Sequence, residues 1–373
     1  MRHPWNKVLV AGLLSLGAGA CLADEQIFSL HGFGYEDYWK SSANSFNASG
    51  DRGTWDNNIF ALDVAAVIND RSKVFAQLQT STFGGTYFTW AFADYNFSDD
   101  LRGHAGIIKF PIGIYNEYAD TRGLQLSVIQ PFVYSKEADM EHNAYEGVGL
   151  DYDWHLGNAG KLVVQGYFGN NYDSNSILSA NLPFPNQYQQ NELLASTSDV
   201  RSFGGRATWE TPIAGLRFLV TANTTEQETN AGTGTPGGQV GFENRDLLSV
   251  DYVTEKLDLK SEIINHHYPA MSGFASLSTR AWYVQAGYLG WERWTPYVRY
   301  DNVVTDKARS SDPSFYQHDF LVGTNFKIRD NLNFRIEEHF NRGYALPVAS
   351  GYTQIGTGKV DWTLLAAEVN YMF

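Results

Sequence analysis

Leu332-Asn333-Phe334-Arg335-Ile336-Glu337-Glu338-His339-Phe340-Asn341 is the stretch on which the reading of this chain turns. Leu332, Phe334, Ile336 and Phe340 fall on one face of an extended segment, and Asn333, Arg335, Glu337, His339 and Asn341 on the other. Alternation with period two marks a strand with one face toward oil and one toward water. A soluble sandwich also alternates, so one strand leaves the fold open. The number of such strands and the spacing of their turns decide it.

The same alternation recurs sixteen times, over 27–40, 58–69, 73–82, 86–95, 101–110, 146–154, 160–169, 200–210, 215–225, 245–254, 257–267, 279–290, 294–304, 317–328, 332–341 and 360–373. Tight turns fall at 69–72, 98–100, 155–159, 212–214, 255–256, 292–293 and 329–331. Between them run longer connections at 41–57, 111–145, 170–199, 226–244, 268–278, 305–316 and 342–359, with 83–85 a short exception. Short turns at one end and long loops at the other describe a transmembrane antiparallel β-barrel. An even strand number puts both termini at the short-turn end. Sixteen strands leave an aqueous lumen rather than a core filled by side chains.

Composition agrees with an all-β chain. Aromatics are 15% of the 373 residues and charged residues only 18%, with 35 glycines for turns. Such a mix is too aromatic for disorder. No mature segment approaches the ~20 apolar residues of a spanning helix, but closed barrels satisfy the backbone in hydrocarbon without one.

The N-terminus reads as an export signal. Arg2, His3 and Lys7 are basic, residues 8–20 are apolar, and Cys21-Leu22-Ala23 places small residues for cleavage after Ala23. Residues 1–23 are then the signal peptide and 24–373 a single outer-membrane barrel domain. Ala18-Gly19-Ala20-Cys21 offers a rival lipobox, with Ala18 where such a box wants Leu. Cys21 is the only cysteine, so cleavage leaves none for disulfides or thiolate metal sites. The precursor carries a net charge of −14; losing Arg2 and Lys7 leaves 25 cations against 41 anions, or −16. That balance argues against nucleic acid as a partner.

One parity of each strand is apolar and belongs in lipid: Leu62, Val64, Ala66 and Ile68; Leu162, Val164 and Phe168; Phe218, Val220 and Ala222; Leu248, Val250 and Tyr252. The opposite parity carries Asp63, Gln77, Gln79, Asp94, Arg102, His104, Asp151, Arg206, Arg217, Arg245, Asp251, Lys260, Glu262, Arg299, Asp301, Arg335, Glu337 and Glu368. A charge facing midplane lipid costs roughly 2–4 kcal/mol, so this parity faces water. Tyr38, Trp39, Trp154, Trp209, Trp294, Trp362 and Tyr371 sit near strand ends as candidates for interfacial girdles.

Ala367-Val369-Tyr371-Phe373 ends an amphipathic strand in a terminal Phe, with an aromatic two places before it. This resembles the terminal assembly signal of Gram-negative porins, departing from it at Glu368, where that signal often has Gly. The Phe110-Pro111-Ile112-Gly113-Ile114-Tyr115-Asn116-Glu117 stretch resembles the K-x-P-x-G-x-Y-N opening found in some porin-like families. In trimeric sixteen-stranded porins the third long loop folds into the lumen. The resemblance therefore implies a homotrimer in outer-membrane lipid, with residues 111–145 narrowing the bore. The apolar run from Leu124 to Pro131 fits docking against a wall.

Folded inward, that loop brings Glu117, Asp120, Glu137, Asp139 and Glu141 to the lumen, with Arg122 and Lys136 among them. Arg102, Arg206, Arg217, Arg299 and Arg335 are the wall cations expected to oppose them. Opposed charges across a narrow gap create a transverse field that sorts ions. The bland alternative is that the arginines pair with wall acids and only stiffen the lumen.

Other motifs carry little. Gly232-Thr233-Gly234-Thr235-Pro236-Gly237 matches G-x-G-x-x-G but precedes no helix. Adjacent His266 and His267 point to opposite faces of a strand, which disfavours shared chelation. No H-E-x-x-H or G-x-S-x-G occurs. No catalytic, cofactor or metal site is expected. The reading is a passive channel for small hydrophilic solutes and ions. A channel selective for organic anions, an adhesin or receptor acting through 170–199 and 226–244, and an outer-membrane hydrolase are the alternatives.

Overall fold

The computed structural model describes residues 28–46, 50–81, 85–135, 144–172, 197–229, 238–270, 276–351 and 353–373. The expected signal peptide, the 232–237 motif and the loop acids Glu137, Asp139 and Glu141 lie outside them. The strands are β1 (Phe28–Ser41), β2 (Thr54–Asn69), β3 (Ser72–Ser81), β4 (Gly85–Asn96), β5 (Leu101–Lys109), β6 (Ala144–His155), β7 (Lys161–Tyr172) and β8 (Thr197–Glu210). They continue with β9 (Leu216–Thr229), β10 (Val240–Val253), β11 (Leu257–Tyr268), β12 (Leu277–Tyr288), β13 (Trp294–Val304), β14 (Tyr316–Arg329), β15 (Leu332–Gly343) and β16 (Asp361–Met372). Each pairs antiparallel with its neighbours in sequence, and β1 pairs with β16 to close the barrel.

The tight turns are built by local side-chain chemistry. Asn69 Oδ1 accepts the Arg71 amide at 2.9 Å, and Thr254 Oγ1 accepts the Leu257 amide at 3.0 Å. At the β8–β9 turn, Gly215 adopts φ +81° with the Val253 carbonyl directly below, where any side chain would collide. These turns hold the strands in the register that alternation requires.

Burial is inverted relative to a soluble protein. Along β10, Phe242, Leu248 and Val250 are exposed, whereas Glu243, Arg245, Ser249 and Asp251 are buried. An apolar outside around a polar inside is the arrangement for a barrel in lipid. The parity assigned from sequence holds for the charges named above.

Two expectations change. Trp39 and Trp362 do not face a membrane interface: both are buried inside, around Phe46. They occupy the inward parity of β1 and β16, so their place near strand ends was a poor guide. Trp154, Trp209, Trp294 and Tyr371 are exposed. In the stretch that decided the reading, Glu338 shares the outward face with Ile336 and Phe340, opposite Val322 and Leu365. Glu36 of β1 breaks the pattern in the same way, opposite Val369.

Candidate functional site

After β5 the chain turns into the barrel. Phe110, Ile112, Ile114, Val128, Ile129, Phe132 and Val133 are buried against inward residues such as Leu219, Leu247, Ile264, Ala281 and Leu364. Each apolar side chain so buried contributes about 1.5–3 kcal/mol. The third long connection thus packs on the inner wall from β8 round to β16 and β1.

The wall charges hold this loop by its backbone. Glu337 accepts the Val128 and Ile129 amides at 2.9 and 2.8 Å. Asp301 accepts the Phe132 amide at 3.0 Å. Glu262 accepts the Ile114 amide at 2.8 Å and hydroxyls from Tyr134 and Tyr283 at 2.7 and 2.9 Å. Arg335 donates to the Gln125 and Ser127 carbonyls at 2.7 and 2.9 Å, and to Glu368 at 3.0 Å. Arg299 donates to Ser127 Oγ at 2.6 Å, Ile129 O at 2.9 Å and Asp301 at 2.5 Å. Beyond three single 3-10 turns at Asn116–Tyr118, Arg122–Leu124 and Phe132–Tyr134, the loop has no regular ladder to satisfy its peptide groups, and fixed side chains do so.

This corrects the expected opposition of charges. Arg299 and Arg335 are 1% and 0% exposed. They lie behind the loop, between it and the wall, and do not line an open gap. Arg122 also turns back into its own loop, donating to the Val128 carbonyl and lying 5.4 Å from the Tyr35 ring centre. Asp120 pairs with Lys109 at the end of β5. Burial raises the Tyr118 hydroxyl above its usual range, so the loop adds no phenolate charge.

Arg102, Arg206, Arg217 and Glu117 are placed differently. Arg206 bonds Glu117 at 2.5 Å and the Gly113 carbonyl at 2.8 Å. Arg217, half exposed, pairs with Asp251. Arg102 pairs with Asp151 at 2.6 Å, with about half of its side chain exposed.

An open space lies between the loop and the wall of β2 to β7. Asp63, Asp94, Arg102, His104, Lys109, Glu117 and Asp151 face it. His104 sits between Asp94 and Asp151, its ring nitrogens 2.6 and 3.0 Å from their carboxylates. Trp90, Phe92 and Phe75 also line it. They share the inward parity that the sequence assigns to Asp94 on β4 and Gln77 on β3; the bulge in β4 adds Tyr87 and Thr89 to the inner face before it.

Other candidates resolve simply. His266 is buried inward, 2.5 Å from Glu243, and His267 points outward, so the pair does not chelate together. Among the described residues, no group of three acidic, histidine or cysteine side chains is placed to hold a metal ion. His267 Nδ1 lies 3.0 Å from Ser278 Oγ on the outer face. No carboxylate forms an ion pair with that ring among the described residues.

No protein-family model matches the sequence, and no curated protein matches it. Solved structures do match in fold. OmpF of Salmonella typhi, in complex with daunomycin, aligns with a TM-score of 0.60 at 15% identity, covering 93% of this chain and 97% of that one. The outer-membrane channel DcaP of Acinetobacter baumannii aligns at 0.58 and 12% identity, over 93% and 97%. An anion-selective porin from Comamonas acidovorans aligns at 0.54 and 11%, over 93% and 99%. The fold is that of the sixteen-stranded outer-membrane porins.

Proposed function

We propose that this chain is an outer-membrane porin: a passive, non-enzymatic channel for small hydrophilic solutes and ions. One observation carries the reading. A polar cavity inside the barrel, lined by Asp63, Asp94, Glu117 and Asp151 with Arg102, His104 and Lys109, lies beside an inward loop held to the far wall. Ionic side chains facing an unpacked lumen are what a water-filled path needs. Acids outnumber bases along it, which favours small cations over anions and weighs against the organic-anion alternative.

The test is reconstitution of the purified protein in planar bilayers and liposomes. Stepwise conductance in KCl, swelling in small sugars and a cation-side reversal potential are expected. A barrel that inserts but passes neither ions nor sugars would overturn the reading and favour a receptor. The hydrolase alternative draws on the Ser278–His267 contact, but that serine lies outside the lumen and no carboxylate among the described residues pairs with the imidazole as a triad needs.

The same reading includes a homotrimer. Glu36 and Glu338 face outward on β1 and β15, either side of β16. Lys40 and Asn58 lie in the same sector of the outer face. Protein contacts satisfy such groups better than hydrocarbon does.

A further inference from the structure

We propose that the passage contains a subsite for organic cations with a flat apolar face, formed by Trp90, Phe92 and Phe75 together with the Asp63 carboxylate. The proposal rests on the channel reading and names the solute class that reading leaves open.

The subsite exists because of one extra residue. On the β3–β4 ladder Leu78 opposes Phe88 and Gln77 opposes Trp90, so Thr89 has no partner of its own. Before this bulge, Tyr87 and Thr89 face inward, bonding Gln79 and Gln77. After it, Trp90, Phe92 and Asp94 face inward. Alternation continued from Tyr87 and Thr89 would have sent Trp90, Phe92 and Asp94 to the lipid and put Ala91 and Ala93 in the lumen. Bulges re-aim side chains in this way beside functional sites. Here the bulge takes two large apolar rings away from oil, where they are welcome, and presents them to water.

The rings form a continuous strip. Phe75 and Phe92 have centroids 5.3 Å apart, and Trp90 and Phe92 5.8 Å. Phe92 is opposed on β5 by Gly106, so no side chain from that position covers it; His104 meets the ring edge-on at 6.1 Å and the buried apolar cluster packs against part of it, leaving the rest open. All three rings stay only partly buried. An aromatic face held open to the lumen is a platform for stacking and for cations.

Asp63 supplies the charge. It accepts a hydrogen bond from Gln77 Nε2 at 2.7 Å; His31 stands opposite it on β1, and no Lys or Arg forms an ion pair with it among the described residues. By contrast, Asp94 and Asp151 are engaged by His104, and Glu117 by Arg206. In register, Asp63 opposes Gln77, which opposes Trp90. The Asp63 and Trp90 backbones are therefore two strand spacings apart, about 10 Å, with both side chains directed into the lumen between them. That span suits an ammonium joined to a planar ring by a short chain. An anion with the same ring would meet Asp63, Asp94 and Glu117 instead.

The experiment uses the full-length protein in planar bilayers, with tryptamine as probe. Ethylammonium controls for charge without a ring, and indole-3-acetate for the ring with opposite charge. Tryptamine is expected to interrupt the KCl current at concentrations roughly three- to thirtyfold below those needed for ethylammonium. Indole-3-acetate should not interrupt it at the tryptamine concentration. Asp63→Asn, which keeps the size of the side chain, and Trp90→Leu should each bring tryptamine close to ethylammonium. Equal blocking by the three probes in the wild type overturns the subsite, with no variant needed. So does a tryptamine block that survives both substitutions. A wild type that conducts no current at all overturns the channel reading instead, which separates the two failures.

Discussion

Gly32 and Phe373 exchange backbone hydrogen bonds in both directions at 2.9 Å, and the Phe373 ring fills the space a side chain on Gly32 would need. Tyr371 lies over Gly34 in the same manner. The last residues of the chain close the barrel on its first strand, with aromatic rings lying on glycine backbone. The terminal aromatic pair is thus a closing device as well as an apolar strand end.

Replacing Gly32 with Val should interfere with that closure. The new side chain must displace the Phe373 ring, and overpacking of this kind costs about 1–3 kcal/mol. The expected result is a lower folded fraction and a lower temperature for loss of the compact band on unboiled SDS gels. Wild-type values for both would show that the ring is not needed over the glycine.

The inward loop should come loose when its wall anchors are removed. Arg335→Leu strips donors from the Gln125 and Ser127 carbonyls and leaves Glu368 without its guanidinium partner. Breaking one side of a buried pair costs about 3–5 kcal/mol. Part of that cost can be relieved by movement of the loop. Single-channel traces of Arg335→Leu should then show excess current noise or substates beside the wild-type level. A quiet trace at wild-type conductance would mean the loop keeps its place without this anchor.

Ion selectivity should respond to charges that face the passage rather than to those behind the loop. Glu117→Gln removes a partly exposed carboxylate from its edge, whereas Arg299 is enclosed between loop and wall. In a KCl gradient, Glu117→Gln should move the reversal potential toward anions by several millivolts. Arg299→Met should move it less while raising current noise. The opposite order would restore Arg299 as a pore-facing charge.

The sequence shows most of the barrel because oil and water enforce the parity of each strand. Leu248 and Val250 against Ser249 and Asp251 can be read without coordinates. It also places Arg299, Asp301, Arg335 and Glu337 inside. What it hides is their partners. The amides of Val128, Ile129 and Phe132 are identical to every other amide in the chain, so nothing in the letters marks them as the groups those charges bind. The bulge at Thr89 is hidden for a related reason. Asp94 sets the phase of Trp-Ala-Phe-Ala-Asp, but only the ladder with β3 shows that the phase changes before it, so that Tyr87 and Thr89 also face inward. Trp39 and Trp362 misled because position near a strand end was allowed to outweigh parity.

Glu36 and Glu338 test what covers the outer wall. If both met hydrocarbon, replacing them with Leu would relieve a cost on the lipid face and stabilise the single barrel. If another copy of the chain covers this sector, they meet polar partners, and Leu leaves those partners buried and unsatisfied at about 1–3 kcal/mol each. The second outcome is expected because the carboxylates of β1 and β15 flank β16 in one sector beside Lys40 and Asn58, whereas other outward acids, such as Glu146 and Asp246, stand apart on β6 and β10. Glu36→Leu combined with Glu338→Leu should lower the temperature at which a detergent-solubilised oligomer dissociates, measured by cross-linking or native mass. The monomer's own unfolding temperature should hold or rise. An oligomer that melts as the wild type does, around a stabilised barrel, would place this face in lipid.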